Sequence, residues 1–134
     1  MQTIDGIDYV EHGDVVLMRA HRGGGYRDAD ESIHIGGSWV ERLGVVVVRQ
    51  AAFTLWGRTY GNPDGDVLTE MSDGTKRASE CWVYFFDGDM QATNTRRDHE
   101  GFPDGVKTWA RTASPDELAW AEKPGPHSRY SDPA

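Results

Sequence analysis

The hydrophobic residues of this chain come in short clusters separated by glycine, proline and aspartate, a pattern typical of a protein built from short strands. Residues 15–18 and 45–48 are uninterrupted apolar runs, and four consecutive valines favour a strand over a helix. Further strands are predicted at 7–10, 33–35, 53–60 and 106–111. No apolar run is long enough to cross a bilayer, so no membrane association is predicted.

The clearest local signal lies between residues 67 and 95. Two Asp-Gly pairs, Asp73-Gly74 and Asp87-Gly88, predict tight turns that join three antiparallel strands at 67–71, 76–86 and 90–95. The middle strand is apolar in both of its alternating sets: Trp82, Tyr84 and Phe86 on one face, Cys81, Val83 and Phe85 on the other. This strand is therefore predicted to lie in the centre of a sheet, covered on both faces.

Two segments are harder to assign. Residues 21–31 contain three consecutive glycines and are predicted to form a loop, because glycine stabilises neither strands nor helices. Residues 38–43 are ambiguous. One interpretation is a helical turn that Ser38 caps, with Glu41 completing a capping box and Gly44 ending the turn.

The C-terminal part predicts one short helix. Ser114 is a good cap, Pro115 suits the first helical position, and acidic residues follow in the first turn, so a helix is expected to run to about Glu122. Residues 123–134 contain three prolines and no apolar cluster, which predicts a flexible tail. The predicted fold is thus mostly β, a small antiparallel barrel or sandwich in a single domain over residues 1–122.

Composition narrows the classes of function. The net charge of −8 opposes contact with phosphates, so nucleic acid binding is not expected. Cys81 is the single cysteine and sits in an apolar strand, which predicts a core thiol and no internal disulfide. No secretory signal precedes the first strand, which predicts a cytoplasmic protein. Arginine outnumbers lysine 11 to 3, which suggests a GC-rich bacterium or one of its phages as the source.

Two loops are the candidate binding surfaces. The glycine-rich segment offers backbone amides beside Arg22, Tyr26 and Arg27, although it lacks the Lys-Ser/Thr of a phosphate-binding loop, and a simple connector is the preferred interpretation. The second surface is a charged loop over residues 96–102. Its candidate binding residues are Arg96, Arg97, His99 and Phe102.

Catalytic and metal signatures do not emerge from the sequence. Asp98 and Glu100 flank His99, but neighbours on an extended chain point to opposite sides and cannot both hold the imidazole. The acidic segments 28–31 and 62–66 lack the glycine position of a calcium loop. No catalytic residue, cofactor or metal is predicted.

The leading hypothesis is a non-enzymatic, protein-binding accessory module of a phage or mobile element, acting in the host cytoplasm. It follows from the acidic surface and from five tryptophans, which either fill a small core or anchor an interface. Two alternatives stay open. One is a small-ligand-binding barrel or minor enzyme, and the other is a virion or assembly component. Association of identical chains also stays open.

Overall fold

The computed structural model describes residues 1–22, 25–27, 33–35, 38–48, 53–55, 58–60, 68–78, 80–97, 106–123 and 127–131. Within these ranges the chain forms thirteen β-strands and one α-helix. The strands are β1 (Gln2–Ile4), β2 (Ile7–Tyr9), β3 (Asp14–Arg22), β4 (Gly25–Arg27), β5 (Ile33–Ile35), β6 (Ser38–Val47), β7 (Phe53–Leu55), β8 (Arg58–Tyr60), β9 (Leu68–Glu70), β10 (Lys76–Ala78), β11 (Glu80–Phe85), β12 (Met90–Asn94) and β13 (Val106–Thr112). The helix is α1 (Pro115–Glu122).

Five strands form the main sheet, in the order β12-β11-β6-β3-β13, and every neighbouring pair is antiparallel. The other strands pair as hairpins: β1 with β2, β4 with β5, β7 with β8, and β9 with β10. Within the described ranges β12 and β13 are opposite edges of the main sheet, so the sheet does not close into a barrel. The prediction of a mostly-β fold with one short C-terminal helix is confirmed.

Each face of the main sheet carries its own apolar cluster, as alternation along the strands requires. The first cluster contains Val10, Val16, Met18, Ala20, Val46, Cys81, Val83, Phe85 and Val106, with Trp109 packed against it. The second contains Val15, Val45, Val47, Tyr84 and Ala121, with Trp82, Phe86, Met90, Leu118 and Trp120 packed against it. The predicted centre of the fold, β11, contributes to both clusters, and Cys81 is buried as predicted.

The helical interpretation of residues 38–43 is wrong, because these residues belong to β6, the middle strand of the sheet. Its backbone pairs with β3 on one side and β11 on the other, and these long-range hydrogen bonds outweigh the local capping pattern. Gly44 ends nothing. It lies opposite Val16 and Phe85, where a Cβ atom would come within 2.7 Å of the Tyr84 carbonyl oxygen.

Three further details differ from the prediction. The prediction of a loop over residues 21–31 is wrong at two places, because β3 continues through Arg22, which pairs with Ser38, and Gly25–Arg27 form β4. Both predicted hairpins form, β9 with β10 and β11 with β12, but they belong to different sheets, and β11 has β6 as its second neighbour. The β1–β2 hairpin was not predicted, although Asp5 and Gly6 at its turn both have positive φ and form an Asp-Gly signal.

Helix α1 begins as predicted. The Ser114 side chain accepts a hydrogen bond from the backbone N–H of Glu117, and the Glu117 carboxylate accepts one from the backbone N–H of Ser114. Arg111 donates two hydrogen bonds to the same carboxylate, at 2.6 and 2.8 Å. These contacts, Arg111 foremost, lower the pKa of Glu117 to about 2. Among the described residues no helix has the length and apolar character needed to cross a membrane.

Part of the segment predicted as a tail contacts the sheet. The backbone N–H of Tyr130 donates to the Phe86 carbonyl at 2.8 Å, and the His127 carbonyl accepts from Asp89 at 3.1 Å. The His127 ring stacks on Tyr84 with centroids 4.4 Å apart, and Tyr130 meets Trp120 edge-on at 5.3 Å. Residues 127–131 therefore cover the aromatic end of the second cluster. The domain boundary at residue 122 stays a prediction.

Candidate functional site

An open cleft of about 920 Å³ lies at the end of the main sheet where β6 and β12 finish and β3 and β11 begin. It is lined by residues that are far apart in sequence: Gln2, Val10, Glu11, His12, Val47, Val48, Leu68, Thr75, Lys76, Arg77, Ala78, Thr95 and Glu122. This volume lies within the range of ligand-binding clefts, roughly 300–1,000 Å³. The core beside it is filled by the two clusters, so the cleft is a surface feature and not an interior cavity.

The floor of the cleft is apolar and its rim is charged. Val10, Val47 and Ala78 are buried core residues that reach the floor, and Val48 is half-buried. Leu68 stands on the rim with 53% of its surface exposed, the most exposed of the large hydrophobic residues among those described. An apolar floor with an exposed leucine at its edge is a surface on which a hydrophobic side chain of another molecule can be buried.

Arg77 forms one wall and is held in place by several groups. Its Nη2 donates to the Gln2 side chain and lies 3.4 Å from the Glu11 carboxylate, and its guanidinium lies over the Tyr9 ring at 5.4 Å. Its Nε, in contrast, is buried and has no hydrogen-bond partner among the described residues. Arg77 therefore retains one donor that an added acceptor could satisfy.

His12 connects the opposite wall to the sheet. Its Nδ1 accepts the backbone N–H of Val48 at 3.1 Å, so this nitrogen carries no proton in the observed geometry. Its Nε2 lies 3.8 Å from the Glu122 carboxylate, at the last residue of α1. Glu122 is exposed on the rim of the cleft. Lys76, also exposed, adds a positive charge to the same rim.

The backbone of β10 adds hydrogen-bonding groups to the cleft wall. In the β9–β10 hairpin the Thr75 carbonyl accepts from Met71, so alternation turns the peptide groups of Lys76 and Ala78 away from β9. The Ala78 carbonyl accepts the Thr95 hydroxyl at 2.8 Å. The outward N–H and C=O of Lys76 have no partner in the described part of the chain. Among the described residues, no strand pairs with this side of β10, which is therefore a short strand edge.

Of the predicted binding residues, the structure describes the side chains of Arg96 and Arg97, and neither is among the described lining of the cleft. Arg22 ends β3, and Tyr26 and Arg27 lie in β4, where Tyr26 pairs with His34; the structure describes the backbone of these residues. His99 and Phe102 lie outside the described residues. Their proposed role in binding stays a prediction.

Arg96 and Arg97 are described, and they differ. The guanidinium of Arg97 pairs with the Asp8 carboxylate at 2.8 Å, and its backbone N–H donates to the Asp8 carbonyl, so it fastens the end of β12 to β2. Arg96 lies opposite Tyr9, and its side chain is exposed. Of the two, only Arg96 presents its charge to solvent without an ion-pair partner among the described residues.

We found no match between this chain and any protein-family model, curated protein or solved structure. The candidate site is accordingly defined by its geometry. Within the described ranges no group of three His, Cys, Asp or Glu side chains is arranged to hold a metal ion.

The sequence gives no local sign of the cleft, because its described lining comes from seven separate stretches of chain. The tryptophans are a partial guide. Trp82, Trp109 and Trp120 are half-buried and pack against the two clusters, so they serve the core and still reach the surface. The side chains of Trp39 and Trp56 lie outside the described part of the molecule.

Proposed function

We propose that this protein is a non-enzymatic binding module that takes up an extended segment of another protein in the cleft. The observation that carries the proposal is the free edge of β10 at Lys76, which stands in the wall of an open, apolar-floored cleft. A segment added along this edge gains main-chain hydrogen bonds, and its alternate side chains reach the floor between Val10, Val48 and Ala78.

The rim supports a polypeptide as the occupant. Lys76 and Glu122 place opposite charges on the rim, and Leu68 adds exposed apolar surface. Acidic, basic and apolar side chains of a bound polypeptide can therefore each contact a matching group of the cleft. The origin in a phage or mobile element and the cytoplasmic location belong to the same proposal and are supported by composition alone.

Leu68 and Leu43 provide a matched pair for the test. Leu68 lines the cleft and Leu43 lies on β6 outside its lining, and both are exposed, at 53% and 39%. Peptides selected from a displayed random library on the wild-type protein would be measured by fluorescence anisotropy against Leu68→Glu and Leu43→Glu. Burial of a leucine side chain contributes about 1.5–3 kcal/mol, so Leu68→Glu should weaken binding by about tenfold or more.

The expected result has a structural signature as well. On addition of a selected peptide, the backbone amide resonances of Lys76 and Leu68 should shift in a two-dimensional NMR spectrum, and Leu43→Glu should bind like the wild type. Selection that enriches no sequence, or binding that Leu68→Glu leaves unchanged, would contradict the proposal.

A small anionic ligand is the second candidate, and Arg77 is the reason. Its unpartnered Nε in the cleft wall fits a carboxylate or carbonyl oxygen. A panel of small carboxylates would then raise the melting temperature of the wild type, and Arg77→Lys, which cannot offer the same donor, would not respond. A response to such ligands without any response to peptides would favour this candidate over the first.

A further inference from the structure

The C-terminal end of α1 lacks the residues that usually complement a helix end. The last four carbonyls of any helix have no partner within the helix, and the helix dipole places partial negative charge there. Helix α1 has acidic residues in its first turn but no basic residue in its last turn. Lys123, which follows the helix, is extended and does not form the left-handed cap that closes many helices. Groups from other parts of the chain are therefore expected at this end.

A histidine of the C-terminal segment occupies this position. We call residues 127–131 the strap. Nε2 of His127 donates a hydrogen bond to the carbonyl oxygen of Ala121, in the last turn of α1, at 3.0 Å. A carbonyl oxygen only accepts, so Nε2 carries a proton and a second proton would bind at Nδ1. Protonation would turn this contact into a charge-assisted hydrogen bond at the negative end of the helix.

The ring of His127 also packs on aromatic side chains. It stacks on Tyr84 with centroids 4.4 Å apart and an angle of 24° between the planes, and its centroid lies 5.3 Å from that of Trp120. A cation above the face of an aromatic ring is attracted to it. His127 is half-buried, so placing a charge on it costs less than it would in the core. The ring contacts thus favour the protonated form as well.

The surrounding charges nearly cancel. Asp87 in the turn after β11 pairs with Arg42, and Glu117 in α1 pairs with Arg111. The other charged side chains at the end of α1, in the turn and in the strap are two acids and two bases, all exposed: Asp89, Glu122, Lys123 and Arg129. One more imidazole, that of His12, lies 3.8 Å from the Glu122 carboxylate. The helix end and the Tyr84 ring therefore decide which state of His127 the fold prefers.

We propose that His127 makes the strap a pH-sensitive closure over the aromatic end of the second cluster. Protonation of the imidazole tightens the strap on α1 and Tyr84, and loss of the proton loosens it. Loosening uncovers the rings of Phe86 and Trp120, which Tyr130 meets edge-on. Histidine changes its charge between about pH 5 and 8, so the strap responds in the physiological range. The proposal does not depend on the proposed peptide binding.

Hydrogen-exchange NMR of the full chain between about pH 5.5 and 8 tests the proposal. The N–H of Tyr130 donates to the Phe86 carbonyl, so its protection factor, corrected for the intrinsic exchange rate at each pH, reports opening of the strap. A histidine cation at a helix C-terminus contributes about 0.3–1 kcal/mol, so protection should be about two- to fivefold higher at the acidic end. The ring resonances of His127 should change with the same midpoint.

Two variants isolate the role of His127. His127→Gln keeps an N–H donor for the Ala121 carbonyl, and His127→Phe keeps a ring against Tyr84. Neither side chain titrates, so protection of the Tyr130 amide should be independent of pH in both variants. Protection that fails to rise toward acidic pH in the wild type would overturn the proposal, and so would a rise that both variants retain.

A third variant separates the two histidines at this helix end. His12→Asn removes the other imidazole and keeps an acceptor for the backbone N–H of Val48, so it should show the same pH dependence as the wild type. If neither His127 variant keeps the strap docked, the wild type decides alone. Different midpoints for the Tyr130 amide and the His127 ring would then overturn the proposal.

Discussion

Replacing Gly44 by alanine adds one methyl group at the point where β6 passes between β3 and β11. The new Cβ would lie 2.7 Å from both the Tyr84 carbonyl oxygen and Cγ1 of Val83, and 3.0 Å from the Tyr84 carbonyl carbon. Real Cβ atoms do not approach so closely, so the backbone of β11 must move. The change tests whether these two central strands are packed in the observed register.

The magnitude follows from two opposing effects. Overpacking in a well-packed core costs about 1–3 kcal/mol, and the upper half applies here because backbone atoms, unlike a flexible side chain, cannot turn away. Loss of conformational freedom in the unfolded chain offsets about 0.4–1 kcal/mol of this cost. The free energy of unfolding should therefore fall by roughly 1.5–2 kcal/mol, which lowers the melting temperature by about 6–10 °C at this chain length.

Urea and thermal unfolding, followed by tryptophan fluorescence, would measure the change. Gly74→Asn is the control: Gly74 has φ +84 and no atom near its added Cβ, and asparagine tolerates this conformation, so little effect is expected. Val83→Ala in the Gly44→Ala background should recover little, because the Tyr84 carbonyl still blocks the methyl group. A melting temperature within 2 °C of the wild type for Gly44→Ala would refute the register.

Three further predictions concern the helix and the C-terminal segment. Folding lowers the pKa of Glu117 from 4.5 to about 2, so the ionised carboxylate stabilises the folded state. This contribution is fully present above pH 4.5 and is lost as the pH falls toward 2. Glu117→Gln should therefore lower the unfolding free energy by about 2 kcal/mol at pH 7, with allowance for the half-exposed Arg111, and by nearly nothing at pH 2; equal losses at both pH values would contradict this. Ser114→Ala should cost about 1 kcal/mol in urea unfolding while Ser114→Asp costs little, and equal effects would argue against the cap. Truncation after Lys123 removes the rings of His127 and Tyr130 and should cost about 2 kcal/mol and expose Trp120 to acrylamide quenching. Unchanged stability and quenching would show that the segment contributes nothing to the fold.

Local patterns predicted the elements whose cause is local. Strand β11 was identified because both of its faces are apolar, and α1 because a cap, a proline and two acids occur in consecutive positions. The Asp87-Gly88 pair predicted a turn because glycine readily adopts the positive φ that Gly88 has in the structure. For α1 and the Asp87-Gly88 turn the deciding interactions join residues close in sequence, and for β11 the signal is the local run of apolar residues.

Long-range pairing decided what the sequence left ambiguous. Residues 38–43 satisfy a helix-capping pattern, and only the hydrogen bonds to β3 and β11 make them a strand. The position of β11 beside β6 likewise depends on residues that are 35 to 41 positions away in sequence. The cleft could not be predicted at all, because no single stretch of sequence contains more than a fraction of its lining.

The order of strands in the main sheet also has a consequence for how the chain folds as it is synthesised. Strand β3 can pair with β6 soon after both have been synthesised. Its other neighbour is β13, so Asp14 pairs with Thr112 only after most of the chain has been made. Pairings between such distant segments close large loops and make folding slow, in the range of milliseconds to seconds for sheet proteins. Until β13 leaves the ribosome, one edge of β3 stays uncovered with its valines beside it.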